Sequence, residues 1–442
     1  MGTNSQGRRI LLTSTACFAG MLATAPMAHA SGFGLREGSA DTLANAFAGG
    51  PAKAYDASTV WDNPAGMALL GQDEVETGVS YIGPSATFTG SATNPIGGNV
   101  SGAQGGNSIA AAAAAAAFGV LTLGPDWRIG ASLTSPFGER VAYPGDFVGR
   151  YQSLTSSITD INFGVAASYQ VNPQLSLGFG PNFDYFAARL TQDLNMGPLS
   201  VGTGQDPSVG VHGNSLGVGY NLGALYKFDD ATRIGIDYHS RIRHSINGAQ
   251  NVTIPAIYSF ADPGVVPLLE ALNSRATTSI TLPDSLSIGL YRQITPAWSV
   301  MASVQWTVWS LFNKLAVRAT NGSGTSVINE NWKNAWYAGV GTNYQLTDQI
   351  MLQGGVAYDG SPVTNANRTT RVPDSDHYDV GVGVQYALNA NTRLELAYGH
   401  VFTPGGSIHN TASTSPLTPS GTINGKYATS DNSVTAGLDA KF

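Results

Sequence analysis

The amino-acid sequence predicts an all-β fold, a 14-stranded antiparallel transmembrane β-barrel with an N-terminal hatch, or plug, segment. Three observations carry this prediction. The last strand alternates between apolar and polar residues, the composition is poor in charge and lacks long apolar runs, and the connections alternate between short turns and long loops. Each is typical of barrels that span the outer membrane of Gram-negative bacteria.

The C-terminal segment 430–442 alternates between apolar side chains and polar or small ones, and it ends on Phe442. Because a strand points successive side chains to opposite faces, this segment has one apolar face. In an outer-membrane barrel that face contacts the membrane lipid, and a terminal aromatic ring anchors the strand at the interface. We therefore expect Phe442 to be the residue through which the barrel assembly machinery engages the chain.

The composition excludes several other classes of protein. Only 12% of the 442 residues are charged, against about 25% in an average soluble protein. No stretch approaches the ~18 consecutive apolar residues of a spanning helix. The formal net charge of −7 argues against a nucleic-acid partner. Apolar residues spread over alternate positions, with 54 glycines between them, favour spanning strands.

The N-terminus has the features of a cleaved secretory signal at residues 1–30. Arg8 and Arg9 precede a short apolar core at 10–22, and Ala28-His29-Ala30 forms a small-x-small cleavage site. The mature chain should begin at Ser31 and lose Cys17, the only cysteine, so neither disulfide nor thiol chemistry is expected. We predict a hatch at 31–72, which does not alternate, and a barrel at 73–442.

Fourteen strands account for the rest of the chain. Short turns and long Gly/Pro/Ser/Asn-rich loops alternate between them, which predicts turns at the periplasmic end and loops outside the cell. The predicted strands are 74–89, 108–123, 126–137, 156–171, 174–192, 209–228, 232–252, 276–292, 296–318, 328–346, 349–361, 376–388, 392–406 and 425–442.

Alternation also predicts which side chains face out of the barrel. Tyr378, Val380 and Val382 should face lipid, whereas Asp379 and Gly381 face the lumen. The alanine run at 110–117 is helix-prone, but its place in the series favours a strand. Near Trp309 the apolar residues change from one face of the predicted strand to the other, and a β-bulge would explain this change.

A series of short motifs adds a family resemblance. In chain order they are Ser31-Gly32-Phe33, Asn63-Pro64-Ala65, Ser135-Pro136-Phe137-Gly138, Gly149-Arg150-Tyr151, Leu282-Pro283-Asp284-Ser285, Trp298, Trp306-Thr307, Trp309-Ser310, Asp359-Gly360-Ser361-Pro362-Val363, Asn367-Arg368, Val372-Pro373-Asp374 and Asp376. Together, over nearly the whole mature chain, they resemble the FadL-type outer-membrane transporters of long-chain fatty acids and other hydrophobic compounds.

The resemblance implies a mechanism of passive uptake. Its members are barrels plugged by a hatch, in which Asn63, Pro64 and Ala65 would form the hatch motif. Substrate, a long-chain fatty acid or another hydrophobic small molecule, is caught among the outer loops and passes to a lumen site. It then leaves sideways through a gap in the wall made by a kinked strand. An apolar molecule gains nothing from a water-filled pore, so lateral delivery to lipid agrees with the physics.

Candidate substrate-binding residues follow from the same reasoning. Loop 253–275 carries an apolar, helix-prone stretch, which either forms a capture groove or packs onto the rim. The alternation of side chains predicts that Asp237, His239, Arg241 and Arg243 face the lumen from one strand. It predicts that Lys333 faces the lumen from another strand. These cations either bind a carboxylate head group or belong to a salt-bridge network with the hatch. The same alternation predicts that Arg189 faces outward, where it could not bind a head group in the lumen. An uncharged substrate therefore stays an alternative to a fatty acid. The expected substrate-binding residues are Lys333, Arg241, Arg243, Phe33, Val265, Val266, Leu268, Leu269 and Leu272.

Two other functions remain as alternatives. A general aqueous porin is disfavoured by the predicted hatch. An outer-membrane lipid hydrolase is suggested only by Gly213-Asn214-Ser215-Leu216-Gly217, which matches G-x-S-x-G but opens a predicted strand instead of forming a strand–turn–helix elbow. We therefore expect no enzyme, no cofactor and no metal site, since the seven histidines show no metal-ligand spacing.

Overall fold

The computed structural model describes residues 32–197, 205–411 and 420–442. The predicted signal peptide, with Cys17 and the cleavage site, lies outside these ranges. Strands dominate the described chain. In chain order they are β1 Glu74–Ile82, β2 Ser85–Thr93, β3 Asn99–Val100, β4 Ala112–Thr122, β5 Trp127–Thr134, β6 Gly138–Ala142, β7 Thr155–Gln170, β8 Leu175–Asp193, β9 Ser208–Lys227, β10 Thr232–His239, β11 Ile242–Thr253, β12 Ser274–Leu282, β13 Ser285–Thr295, β14 Trp298–Thr307, β15 Lys314–Ala319, β16 Thr325–Asn329, β17 Ala335–Gln345, β18 Ile350–Asp359, β19 His377–Asn389, β20 Thr392–Phe402, β21 Gly406–Asn410 and β22 Thr422–Lys441.

These strands form one closed antiparallel barrel, because β1 pairs with β22 from Glu74↔Lys441 to Ile82↔Ser433. Seven wall strands are continuous: β4, β7, β8, β9, β18, β19 and β22. Seven more are interrupted and consist of two pieces each: β1 with β2, β5 with β6, β10 with β11, β12 with β13, β14 with β15, β16 with β17, and β20 with β21. Among the described residues, the short β3 pairs only with β2, in a loop. The predicted 14-stranded barrel is therefore confirmed.

The interruptions explain where simple parity fails. At Trp309 the wall is broken by a 3-10 helix, Trp309–Leu311, between β14 and β15. The prediction of a β-bulge was therefore wrong, because a turn of 3-10 helix, and not one extra residue, separates β14 from β15. The alanine run forms a strand as predicted, because Ala112–Ala116 pair along β1 and alternate between the two faces of the wall.

Apolar side chains cover the outer face of the wall. Tyr378, Val380 and Val382 are exposed on β19, whereas Asp379 between them is buried. Val434, Leu438 and Phe442 are exposed at the C-terminus, as the sequence predicted. Inward-facing positions are mainly small or polar. None of the helices in the described ranges combines the length and apolarity that a membrane-spanning helix needs.

The N-terminal segment, residues 32–72, lies inside the barrel. It contains α1 Ala40–Ala44, α2 Gly50–Lys53, α3 Thr59–Asp62 and a 3-10 helix, Pro64–Leu69. These turns contact wall strands around the circumference, from β4 to β22. Two further short helices, α4 Tyr258–Ala261 and α5 Val266–Glu270, lie in the long loop between β11 and β12. The boundaries of the hatch and its role as a plug stay predictions.

Candidate ligand passage

The motif Asn63-Pro64-Ala65 fixes the N-terminal segment to the wall. Asn63 is fully buried, and its Nδ2 donates to the carbonyl oxygens of Pro51 (2.7 Å) and Ala224 (3.1 Å). Its Oδ1 accepts from the Ala65 N–H, which caps the 3-10 helix that Pro64 begins. Proline suits this position because its fixed φ is compatible with a first helical turn. The motif therefore joins two turns of the segment to β9.

An aromatic cluster surrounds Phe33 near the middle of the lumen. The rings of Phe137, Trp309, Phe312 and Trp332 lie 4.9–6.0 Å from that of Phe33, centroid to centroid. Phe33 itself is 1% exposed. Edge-to-face contacts of this kind add to the free energy of apolar burial. We call these five residues the aromatic barrier, because different cavities lie on its two sides.

The backbone of Gly32 holds Phe33 in place. Its N–H donates to Asp374 Oδ2 (2.8 Å), and the same carboxylate accepts from Ser361 Oγ (2.6 Å). Gly32 has φ +76°, and a Cβ there would lie 2.5 Å from the Trp332 ring. Both the conformation and the space therefore require glycine.

Above the barrier lies the inner cavity, about 70 Å³ in volume and mainly apolar. Side chains from the wall and from the loop between β18 and β19 enclose it. Its apolar lining includes Phe33, Ile158, Phe186, Ile246, Ile280, Phe312, Leu315 and Val372. Four ionisable residues also line it, Glu139, His212, Glu330 and Arg371.

A second apolar space, the outer cavity of about 80 Å³, lies next to the inner one towards the long loops. Leu194, Leu272 and Ala319 are among its lining residues. Four residues line both cavities: Leu190, Val211, Val317 and Arg371. The two spaces therefore form consecutive compartments of one passage, and Arg371 stands at their junction.

Arg371 is a buried cation with neutral partners. Its Nη1 donates to the Thr155 carbonyl oxygen (3.1 Å) and its Nη2 to Gln192 Oε1 (2.8 Å). Within the described residues, no carboxylate lies at ion-pair distance from it. Burial lowers the pKa of Arg371 to about 10, so it stays charged at neutral pH. A guanidinium has five N–H donors, and a ligand carboxylate could use those that remain.

Apolar residues are exposed above the outer cavity. Phe260 on α4 is 85% exposed and Leu268 on α5 is 69% exposed, whereas Leu269 is buried and Leu272 lines the outer cavity. Val265 and Val266 are partly buried at the start of α5. An exposed apolar cluster is costly unless it binds something. The predicted helical apolar stretch is therefore present, with one side packed and one side open.

Below the aromatic barrier lies a larger and more polar space of about 210 Å³. Arg36, Asp62, Asp237 and His239 line it. His239 Nε2 lies 2.9 Å from Asp237 Oδ2, and the His239 ring packs on Trp61 of the N-terminal segment. The prediction that Asp237 and His239 face the lumen is therefore correct.

The wall beside this lower space is incomplete. The ladder between β4 and β5 covers only Ala117↔Leu133 to Thr122↔Arg128, because β5 ends at Thr134. The chain at 135–137 turns instead to the N-terminal segment: the Leu35 N–H donates to the Pro136 carbonyl (2.8 Å) and the Gly138 N–H to that of Phe33 (2.8 Å). A gap in the ladder thus lies along Ala112–Ala116, next to Phe33.

Comparison with known proteins identifies the family. The family model described as "Outer membrane protein transport protein (OMPP1/FadL/TodX)" matches residues 21–442. The chain belongs to this family. The resemblance inferred from the motifs and the location in the outer membrane are both confirmed.

Curated relatives and solved structures agree with this assignment. The "Long-chain fatty acid transport protein" of Salmonella typhi is 26% identical over 408 residues, 89% of this chain and 92% of the relative. The protein of that name from Shigella flexneri is 24% identical, covering 89% of this chain and 93% of the relative. The crystal structure of a Pseudomonas aeruginosa FadL homologue superposes with a TM-score of 0.85 at 24% identity, covering 93% and 100% of the two chains. The Pseudomonas putida toluene transporter TodX gives 0.65 at 16% identity, covering 93% and 99%. These structures support the fold.

Three cationic residues that we predicted to bind substrate in the lumen of this FadL-family barrel, Arg241, Arg243 and Lys333, do not face the lumen. Arg241 is 54% exposed and pairs with Asp284 through two short contacts, Nε–Oδ1 at 2.6 Å and Nη2–Oδ2 at 2.7 Å. Arg243 is exposed, and its neighbours Ile242 and His244 are the buried ones. The parity was wrong because the strand breaks between β10 and β11, which shifts the phase of alternation.

Lys333 is also exposed, whereas Trp332 before it belongs to the aromatic barrier. It precedes β17, so the parity of Tyr337 does not extend to it. The premise that Lys333 faces the lumen was therefore wrong. Arg189 is exposed, as parity predicted.

The sequence reasoning missed Arg371. It lies in the predicted loop 362–375, which folds back into the lumen, so that Val363 and Val372 join the core around Phe33. A usable signal was present, because Val372-Pro373-Asp374 directly follows Arg371 in a motif of the family resemblance. Ser215 of the G-x-S-x-G match lies within β9, so this serine does not sit at a strand–turn–helix elbow.

Proposed function

We propose that this protein carries out passive uptake of long-chain fatty acids across the outer membrane, with the N-terminal segment acting as the hatch. One observation carries the proposal: two consecutive apolar cavities share a buried, charged arginine and are closed below by Phe33. A general porin needs a water-filled lumen, which such compartments do not provide. The names of the curated relatives support the same substrate class.

The capture step uses the open side of α4 and α5. Each methylene group that leaves water contributes about 0.8 kcal/mol, so an alkyl chain binds well to Phe260 and Leu268 without any polar contact. Leu272 then leads from this surface into the outer cavity. Val265, Val266 and Leu269 fix the helix that carries these residues.

In the passage, Arg371 binds the carboxylate and the inner cavity takes the alkyl chain. Charge-assisted hydrogen bonds between guanidinium and carboxylate are strong and directional. Arg371 replaces Lys333, Arg241 and Arg243 as the proposed head-group residue, because it is the cation that lines both cavities. An uncharged hydrocarbon could use the same apolar lining, but it would gain nothing from Arg371.

Release requires the aromatic barrier to open. Phe33 is held on one side by the hydrogen bond from the Gly32 N–H to Asp374. On the other side, the Phe33 carbonyl oxygen accepts from the Gly138 N–H at the gap in the wall. Movement of this short segment would join the inner cavity to the lower space and uncover the gap beside Ala112–Ala116. The ligand would then leave sideways into lipid.

The proposal includes no enzymatic role. Lipid hydrolysis at Ser215 would require a nucleophile elbow, and this serine lies within a strand instead. A lipid-hydrolysis assay with purified protein should give the rate of the buffer alone.

Uptake is tested by expressing the full chain in a Gram-negative strain that lacks its own fatty-acid transporter. Labelled oleate should enter the cells, and native mass spectrometry of the purified protein should detect one bound fatty acid. Single-channel recordings should show little ion conductance. Large, steady conductance without fatty-acid uptake would identify a porin and overturn the proposal.

Assembly depends in this proposal on the exposed ring of Phe442, the partner site for the barrel assembly machinery. The Phe442 N–H donates to the Asp73 carbonyl oxygen (2.8 Å), so the last residue is held by its backbone and its ring stays available. Deleting Phe442 should leave the protein unassembled in the periplasm. A heat-modifiable barrel in normal amount would contradict this role.

A further inference from the structure

A row of cations runs around the outer face of the wall near the long loops. The ladders connect, strand by strand, one line of directly paired residues: Arg140, Ser157, Arg189, His212, Ala249 and Arg275. Directly paired residues in antiparallel strands point to the same face. Three arginines and a histidine therefore share one level on β6, β8, β9 and β12. We call Arg140, Arg189 and Arg275 the arginine row.

The arginine row points away from the lumen. Arg140, Arg189 and Arg275 are all exposed. Their sequence neighbours Glu139, Ala188 and Ala276 line the inner cavity. Since successive side chains in a strand alternate, the arginines must lie on the opposite, outer face. Arg318 on β15 pairs with Thr277 and extends the row by one strand, slightly nearer the membrane.

No carboxylate neutralises the arginine row. Across the described ranges 32–197, 205–411 and 420–442, none of its three members forms an ion pair. The carboxylates nearest in sequence to Arg140 and Arg189, Glu139 and Asp193, are buried, and Asp193 lies beside Arg150 instead. Glu270, five residues before Arg275, is exposed but forms no ion pair with it in the described part of the chain. The exposed carboxylates of the short turns, such as Asp126, Asp230 and Asp348, lie at the other end of the barrel. In a chain of net charge −7, this unopposed cationic row needs an explanation outside the chain.

Directly beneath the row, the same strands present the apolar outer face. On β8, Tyr185 is 39% and Phe183 49% exposed, four and six residues from Arg189. On β9, Leu216 is 79% exposed, four residues from His212. Four residues of strand span about 13 Å. The wall thus offers cations about one head-group layer above an apolar band, which matches a phosphorylated lipid in both charge and level.

We infer that the arginine row binds the phosphate groups of phosphorylated lipids in the outer leaflet of the membrane that surrounds the barrel. The guanidinium fork matches phosphate geometry, and it is less strongly hydrated than an ammonium group. Neighbouring strands lie about 4.8 Å apart, so roughly 10 Å separate Arg140 from Arg189 and roughly 14 Å separate Arg189 from Arg275. This spacing suits a lipid that carries two phosphates.

The test compares lipid binding by the purified full chain in neutral detergent, measured by native mass spectrometry with bis-phosphorylated lipid A added. The variant combines Arg140→Gln, Arg189→Gln and Arg275→Gln. Its matched control is Arg292→Gln, an exposed arginine at the short-turn end of β13. The triple variant should bind lipid A at least tenfold more weakly, because each cation near an anionic lipid surface contributes to binding. The control should bind as the native chain does.

Dephosphorylated lipid A separates head-group recognition from apolar contact. The native chain should bind it as weakly as the triple variant does. Equal binding of both lipids, or an equal loss for the triple variant and the control, would overturn the inference. So would competition by millimolar inorganic phosphate at the same arginines, since that would show a site for free phosphate. Heat-modifiable mobility on gels should be unchanged for both variants, because these side chains form no ion pairs in the described chain.

Discussion

The half of the lumen nearest the short turns is occupied by the N-terminal segment, which leaves a polar space of about 210 Å³ beneath the aromatic barrier, whereas the half nearest the long loops holds the two apolar cavities. In the lower half, wall glycines face the backbone of the segment directly. A Cβ at Gly178, Gly223, Gly235, Gly355 or Gly381 would collide with atoms of residues 43–65. In the upper half the lining side chains are large, and space remains between them.

This difference in packing suggests that the lower half of the lumen closes the barrel and the upper half lets a ligand pass. Where the wall glycines meet the segment, close backbone packing leaves no room for a ligand, since protein interiors packed at native density contain few voids. A molecule that passes the aromatic barrier can therefore enter the polar space beneath it, but the packed glycines prevent it from continuing along the barrel axis. The gap in the wall ladder along Ala112–Ala116, beside the aromatic barrier, offers a sideways route instead.

The largest expected effect comes from placing a side chain in the sealed half. Gly223→Leu on β9 would drive its Cβ into Asn63 Oδ1. Because the segment cannot shift without losing its other wall contacts, we expect at least a tenfold fall in assembled, heat-modifiable protein. Gly210→Leu on the same strand is the control, since the nearest atom to its Cβ is Thr191 Cγ2 at 3.5 Å. Similar levels of the two variants would show that the halves do not differ in packing.

The next effect concerns the upper half. Arg371→Met keeps the length of the side chain but removes the charge, and a hydrogen bond to a charged group contributes ~1.5–3 kcal/mol. Oleate binding should weaken roughly ten- to a hundredfold, while binding of an uncharged alkane of similar length should hardly change. The native affinity for oleate should also fall as the pH rises through the Arg371 pKa of about 10, since the neutral guanidine no longer attracts the carboxylate.

Lys333→Met serves as the control for Arg371→Met. Its side chain is exposed, so titration calorimetry should give the affinity of the native chain. A loss of oleate affinity in Lys333→Met but not in Arg371→Met would restore the parity-based assignment of the head-group site.

Strand parity predicted the fold better than the site. Within the continuous strands β19 and β22, alternation placed Tyr378, Val380, Val382, Val434, Leu438 and Phe442 correctly on the outer face, because hydrogen bonding to both neighbours fixes the phase. At Arg241 and Lys333 the wall strand is interrupted, and the count of alternating residues no longer holds across the break. The burial of Arg371 was not predicted, because a loop has no periodicity from which the burial of a side chain could be inferred. Phe33 was found only through a family motif.

A smaller effect is expected at the boundary between the halves. Phe33→Ala removes the centre of the aromatic barrier but leaves the Gly32–Asp374 bond in place. Apolar ligands should bind severalfold more weakly in the inner cavity, and small ions should leak at a measurable single-channel conductance. Phe312→Leu keeps apolar bulk in the same cluster and should leave conductance low. Unchanged conductance in Phe33→Ala would place the barrier elsewhere.

The smallest effect is expected for Asn63→Ala. It removes the hydrogen bonds to Pro51, Ala224 and Ala65 without adding bulk, and each such bond contributes about 0.5–1.5 kcal/mol. Uptake of oleate should slow severalfold at a normal surface level, because the segment is held less firmly. A normal uptake rate would mean that this motif serves only folding.

The alanines that border the gap have a kinetic consequence. Ala112, Ala114 and Ala116 point inward beside the opening, and alanine has no side-chain torsion to rotate. A departing molecule therefore waits for no rotamer flip at that edge, and on this side the backbone of β4 sets the width of the window. Replacing one alanine after another by valine or leucine would narrow it stepwise. The chain length and girth of the molecules that still escape would then measure the aperture as a sieve does.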